Sequence, residues 1–537
     1  MTRTAHRDTF ARDNLPPRAQ WPELRFDLPE LRYPARMNCA AELLDRWVAR
    51  GQGARIAIRA PDGECSYAQL MAQANRIANV LAREMALVPG NRVLLRGPNN
   101  PMMAACWLAV MKAGGVCVAT MPLLRAKELT DIVTKAEVTH ALCDQRLEAE
   151  LKAALPACPT LKSICYWYDD AADSLDRLCL RQSDRFANVA TAAEDPALIA
   201  FTSGTTGKPK GTVHLHRDVI AMTDCFPRSC LEAGPEDVFC GTPPIAFTFG
   251  LGGLLAFPLR YGAATVLVER LAPDSLFETV RRFGATVLFT APTMYRQMAA
   301  IAGDYEIPTL KKCVSAGEAL PDATRQLFKR ATGIEIIDGI GSTELTHIFI
   351  SHTPERARRG ATGYAIPGYQ AAVLDGNGEP CAPGEVGRLA VKGPTGCKYL
   401  ADERQKEYVQ GGWNLTGDAY ARDADGYFFY QARSDDMIVS AGYNIAGPEV
   451  EGALLAHPAV AECGVVGWPD EARGAIVKAF VVLKSGFEPS EETKKRLQEH
   501  VKQTIAPYKY PRAIEFRTAL PRTETGKLQR FKLRSGT

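Results

Sequence analysis

The segment FTSGTTGKPKG, Phe201 to Gly211, constrains this chain more than any other stretch. It follows Ala197-Leu198-Ile199-Ala200, which reads as a short apolar strand. The segment holds three glycines, four hydroxyl side chains and two lysines. Glycine lets the backbone approach a polyanion closely, and turn amides can point at it. Hydroxyls add donors for phosphate oxygens, and lysines add positive charge. A Walker loop, G-x-x-x-x-G-K-[ST], is the rival reading. Thr202 stands where that motif needs its first glycine, and Pro209 follows Lys208 where it needs a hydroxyl. The segment therefore reads as a phosphate-binding loop of another kind.

Around it, short apolar strands alternate with amphipathic helices. Arg92–Leu95 reads as a strand, Pro101–Lys112 as an apolar helix and Gly114–Ala119 as a strand. Ala264–Val268, Ser275–Phe283 and Thr286–Thr290 repeat the alternation. Such a pattern implies an α/β class, with stacked, mostly parallel sheets covered by helices. From about Pro367 the runs become short and alternating, as in Ala371–Leu374 and Gly387–Val391, which suggests a small antiparallel β unit. A charged turn at Arg433–Asp436 marks the expected boundary between residues 1–433 and a second domain, 434–537.

Composition excludes several classes. Of 537 residues, 46% are apolar and 23% charged, so the chain is neither disordered nor fibrous. The net charge of +3 does not call for nucleic acid. Fifteen cysteines include no C-x-x-C pair, and the opening MTRTAHRDTFARDN has no apolar segment behind its arginines. Reduced thiols and a cytoplasmic location are expected. Phe239–Leu259 is 21 residues without a formal charge, but Pro243, Pro244, Pro258 and several glycines break it. It reads as buried strand, loop and helix, with no membrane role.

Three further motifs carry chemistry. DGIGSTE, Asp338–Glu344, follows the strand Ile334–Ile337. A carboxylate beside a Gly/Ser/Thr turn suits Mg²⁺, which wants oxygen ligands, although Glu344 can also cap a helix. Thr416-Gly417-Asp418 with Arg433 reads as a tight turn whose Asp can accept from paired ribose hydroxyls. PRTETGKLQRFKLR, Pro521–Arg534, holds five basic residues, and its bland reading is a solvated tail. His347, three residues after Glu344, is expected one turn along a helix and facing a pocket. His214 and His216 follow the phosphate loop and receive no role.

Taken in order, the four motifs resemble the adenylate-forming superfamily of acyl-CoA ligases, firefly luciferase and peptide-synthetase adenylation domains. The resemblance runs from about Tyr67 to Arg534. SAGEALP (Ser315–Pro321), FTFGLG (Phe247–Gly252) and DGIGSTELTHIFIS (Asp338–Ser351) look like benzoate-CoA and 2-aminobenzoate-CoA ligases. FARDNLPP (Phe10–Pro17) leans toward the 2-aminobenzoate type. The resemblance implies a large N-terminal domain, a small mobile α+β lid, and a site between them for ATP, an aryl acid and CoA. It assigns Thr202, Ser203, Gly204, Thr205, Thr206, Gly207 and Lys210 to the triphosphate. Thr343 would meet the α-phosphate, Glu344 the Mg²⁺, and Asp418 and Arg433 the ribose. Gly317, Glu318 and Asp338 would border the adenine, while Phe249, Ala316, Gly341 and His347 would line the aryl pocket. Lys527 would reach the carboxylate, Asp435 would be the hinge, and Gly442 would lie by the CoA path.

There are two departures. Phe201 stands where Tyr is commoner, and Asn444–Glu449 carries its proline one place late. An adenylation enzyme loading a carrier protein and a non-catalytic nucleotide-binding homologue are the alternatives. Monomer and homodimer both remain open.

Overall fold

The computed structural model describes residues 4–202, 209–433, 436–440, 443–470, 474–522 and 528–535. Two large sheets stack in the N-terminal part, as the α/β alternation implies. In the first, Arg92–Arg96 lies centrally and pairs in parallel with Val116–Thr120 and His140–Asp144. Ser163–Trp167 and Pro196–Thr202 extend it on either side, also in parallel. Lys210–Leu215 closes one edge as an antiparallel partner of Pro196–Thr202. That register sets Thr202 opposite Lys210, so both ends of the phosphate segment meet on one rung.

The second sheet has nine strands among the described residues. Its parallel part runs Ile336–Gly341, Lys312–Ser315, Val287–Thr290, Val238–Gly241, Ala264–Val266 and Ile56–Ala60. Ile348–Ser351 turns back antiparallel on Ile336–Gly341. Parallel strands buried on both faces need covering layers. The helix Pro101–Lys112 supplies one: all but its first two residues are buried. Asn100 starts it by accepting from the Met103 amide, and Pro101 supplies a preset φ at the first turn. Lys112 ends it inside the core, tied to Asp45 at 2.5 Å. The uncharged stretch near residue 250 is a strand, a loop and a run of buried helical turns, Thr248–Tyr261. No helix among the described residues is long and apolar enough to cross a membrane.

A five-stranded antiparallel sheet follows, built from Gln370–Leu374, Val386–Lys392, Val409–Gln410, Trp413–Arg422 and Phe428–Arg433. The C-terminal part is α+β. Val460–Asp470 and Gly474–Leu483 form a hairpin, and Ala513–Phe516 joins in parallel. Helices Gly447–Ala456 and Glu491–Thr504 pack on that sheet through Val450, Leu454, Leu497 and Val501, a core of its own.

Two local expectations are corrected. Glu344–His347 is not helical: residues 342–347 form turns and bends, with Thr346 at φ +70°, and a strand resumes at Ile348. Thr416-Gly417-Asp418 is not a turn between elements but an irregularity within the strand Trp413–Arg422, opposite Arg388–Ala390.

Candidate active site

The strand Lys210–Leu215 is flanked by the segment 397–400: Val213 N–H donates to the Lys398 carbonyl at 2.8 Å and Leu400 N–H to that of Gly211. This places the Lys210 ammonium 5.3 Å from the centre of the buried Tyr399 ring. The Tyr399 hydroxyl in turn donates to Glu344 Oε1 at 2.6 Å. Burial, then the adjoining carboxylate, pushes the Tyr399 phenol far above its ordinary range, so it stays a donor. A lysine of the phosphate segment, a phenol and a carboxylate are therefore linked by successive contacts.

Beneath them lies a cluster that sequence reasoning missed. Lys398 and Asp218 are fully buried and paired at 3.0 Å. Burial opposes the Asp218 charge, but Lys398 and Arg217 hold its pKa below the usual carboxylate range. His214 Nε2 lies 2.8 Å from the Thr343 carbonyl. A carbonyl only accepts, so Nε2 carries the proton. Burial and then Lys398 push the His214 pKa down to about 4, and the ring is neutral. His214 thus holds the main chain beside Glu344. Its place three residues after a phosphate-binding segment was the only available signal, and nothing local pairs it with Thr343, 129 residues away.

Asp338 ends the parallel ladder opposite Ser315. Its amide donates to His352 and its carbonyl accepts from Ser351 at 2.6 Å, which fixes the backbone. Its Oδ1 is buried without a partner among the described residues, and burial pushes the carboxyl up to about 7. Ala316 and Gly317 follow Ser315 directly, Gly317 at φ +89°. Glu318 accepts from Thr293 at 3.0 Å. Asp418 and Arg433 are cross-strand partners 3.2 Å apart. Gly417, at φ +77°, lets Arg433 lie against the backbone, since a Cβ there would meet its Nη2 at 2.8 Å.

The same turn reaches an aromatic cluster. His347 is buried with ring centroids 4.5–6.3 Å from Phe226, Phe249, Phe257 and Phe289. Gly252 permits this approach, because a Cβ there would meet His347 Cδ2 at 2.3 Å. Gly341 is held equally close, its absent Cβ falling 2.6 Å from the His347 carbonyl. Nε2 of His347 lies 3.3 Å from the Phe249 carbonyl, and Nδ1 has no partner among the described residues. Burial pushes the ring's pKa down to about 3, so it is neutral and Nδ1 is a bare acceptor.

The family model described as AMP-binding enzyme matches residues 44–399, and that of the AMP-binding enzyme C-terminal domain matches 449–527. The chain belongs to the AMP-binding enzyme family. Benzoate–CoA ligase of Thauera aromatica is 36% identical over 516 residues, covering 94% of this chain and 97% of that protein. An anthranilate CoA ligase, AuaEII, solved with anthranoyl-AMP, superposes with a TM-score of 0.90 at 33% identity, covering 95% of this chain and 99% of that one. A benzoate CoA ligase from Burkholderia xenovorans LB400 gives 0.85 at 32% identity, covering 93% and 100%.

In this AMP-binding enzyme successive contacts connect Thr202, Lys210, Tyr399 and Glu344, His214 holds the Thr343 carbonyl, and Phe249 and Gly341 meet His347. Ser203, Gly204, Thr205, Thr206, Gly207, Asp435, Gly442 and Lys527 lie outside the described residues. No group of three or more His, Cys, Asp or Glu gathers as a metal cage among the described residues. Glu344 alone nevertheless fits Mg²⁺, which takes one or two carboxylates and completes its shell with waters and substrate phosphates.

Proposed function

We propose that this AMP-binding enzyme joins an aromatic carboxylic acid to CoA through an acyl-adenylate, releasing pyrophosphate and then AMP. One observation carries the reading. The turn 342–347 presents Glu344 to the Lys210–Tyr399 pair and His347 to a cage of four phenylalanines. A ligand that reached both would have its anionic end among the proposed phosphate-binding groups and its ring beside His347 and Phe249. The similarity to benzoate–CoA and anthranilate CoA ligases supports the same class.

Carboxylates are poor acyl donors because oxide leaves badly. Attack of the acid's oxygen on the α-phosphorus of ATP expels pyrophosphate and gives a mixed anhydride with a good leaving group. The thiol of CoA then attacks the carbonyl carbon, and AMP leaves. The first step brings anions together, so fixed donors matter, each worth about 2.7–4 kcal/mol. In this reading Thr202, Lys210 and the intervening loop hold the β- and γ-phosphates, and Thr343 meets the α-phosphate. Glu344 would hold Mg²⁺, which neutralises phosphate charge when bound. Tyr399 keeps that carboxylate oriented. The orphaned Asp338 Oδ1 suits the adenine amino group, and Asp418 with Arg433 the ribose. Lys527 serves the first step, and residues 434–537 form the lid that exchanges it for the CoA path, with Asp435 as the pivot and Gly442 beside the thiol.

Within aryl acids, the unpartnered Nδ1 of His347 supports 2-aminobenzoate over benzoate, because a bare acceptor suits an N–H donor. The test is AMP release over a panel of benzoates and palmitate, with and without CoA. Turnover should require an aryl acid, with kcat/KM higher for 2-aminobenzoate than for benzoate. His347→Ala should narrow that gap. Equal values for the two acids would leave only the aryl class, and turnover of palmitate alone would refute the pocket.

A further inference from the structure

Helix Pro292–Ile301 faces both parts of the molecule. Thr293, in its first turn, donates to Glu318 beside the proposed adenine site. One turn on, Arg296 reaches the C-terminal domain. Its Nε donates to the Ala461 carbonyl at 3.1 Å, and its Nη2 to the carbonyls of Leu455 at 3.2 Å and Val460 at 3.1 Å.

These acceptors have physical reasons to want a donor. Leu455 lies in the last turn of helix Gly447–Ala456, whose terminal carbonyls lack partners within the helix and carry the negative end of its dipole. Ala461 sits where the ladder with Gly474–Leu483 slips, between the paired residues Val460 and Glu462. A planar guanidinium can serve such a set of carbonyls at once, and a lysine ammonium cannot match its geometry. Beside it, Arg522 bridges Glu318 at 3.4 Å and Glu462 at 2.9 Å. Arg522, five residues before Lys527 in the sequence, thereby pairs with the carboxylate that follows Ala316 and Gly317.

We propose that Arg296 is a positioning residue, a latch that holds the C-terminal domain in the orientation used for acyl-adenylate formation. This deepens the two-step reading above and rests on it. In this orientation Arg522, part of the motif that the two-step reading gives to the first half-reaction, contacts Glu318. Any large rotation of the domain withdraws the three carbonyls from Arg296, so the latch stabilises one of the two positions only.

The test uses the full chain carrying Arg296→Ala or Arg296→Lys. Aryl-acid-dependent exchange of pyrophosphate into ATP reads the first half-reaction, and thioester formation from pre-made benzoyl-AMP and CoA reads the second. Arg296→Ala should lower the first about tenfold and leave the second unchanged or faster. Arg296→Lys should recover only part of the loss. Small-angle scattering without substrate should show a wider spread of domain separations for Arg296→Ala. Equal changes in both half-reactions, or no change in either, would overturn the latch. If wild type shows no aryl-acid-dependent exchange, the substrate reading fails, and an unaltered scattering profile for Arg296→Ala then overturns the latch separately.

Discussion

Three buried histidines make the native state sensitive to acid. His214 is held to about 4, and His216 and His347 to about 3, each chiefly by burial. In the unfolded chain all three take up protons near the ordinary 6.5, while the folded rings stay neutral. The unfolded state therefore binds more protons below pH 6.5, and stability present above that pH is lost as it falls toward 4. Asp338 works the other way: raised to about 7, it keeps a proton that the unfolded chain has released, so it weakens the fold as pH rises from 3.8 toward 7. Three groups against one predict a net loss on acidification. His214→Gln isolates one contribution, since its amide can still donate to the Thr343 carbonyl but does not titrate. The dependence of unfolding free energy on pH should flatten by up to about 1.4 kcal/mol per pH unit between 6.5 and 4. An unchanged slope would mean that His214 is charged in the native state.

At the scale of elements, the strand Trp413–Arg422 shows how an irregularity brings two charged side chains together. Gly417 at φ +77° lets Asp418 and Arg433 face each other while Arg433 lies over the glycine. Gly417→Ala combines a backbone conformation that costs L residues about 1–2 kcal/mol with displacement of Arg433. The expected outcome is a raised KM for ATP with a smaller change for the aryl acid, measured by steady-state kinetics. The same strand shows what sequence reveals. Thr-Gly-Asp announced a special backbone, but its place inside a long strand depends on pairing with Val386–Lys392, which no local pattern encodes. Pro101–Lys112, by contrast, was legible to the residue, because Asn100 and Pro101 mark its start and its apolar run needs only to be buried. Glu344–His347 failed in the opposite direction. Glu-Leu-Thr-His has the spacing of a helical turn, but the pairing of Gly341 with Ile348 closes the chain into a tight reversal. The proposed phosphate, ribose and aryl residues all come from motifs. Tyr399, Lys398 and Asp218 do not, because their roles arise from contacts between segments far apart in sequence.

At the scale of the whole molecule, the two half-reactions ask for different surroundings of one carbonyl carbon. The first needs positive charge beside two approaching anions, and the second needs an open path for a thiol. A C-terminal domain with its own core can meet both by moving as a body, provided its contacts with the rest can be broken and remade. The described contacts at Arg296 and Arg522 are hydrogen bonds and ion pairs, which water can replace at small net cost. Lys527 belongs to this argument rather than to the residue scale, because its effect depends on where its domain stands. Lys527→Ala should cut acyl-adenylate formation by roughly 10²–10³, as for the loss of one oriented donor. Thioester formation from pre-made benzoyl-AMP should survive if the domain moves as proposed, since Lys527 would then no longer serve the carbonyl. Lys527→Ala thus removes a charge, whereas Arg296→Ala loosens the placement of that charge. The double variant should therefore lose little more adenylation than Lys527→Ala alone, since a latch has no effect once the group it positions is gone. Pyrophosphate exchange measured across the wild type, both single variants and the double variant decides this. Strictly multiplicative losses would show that Arg296 and Lys527 act independently, and that the domain's orientation is not what links them.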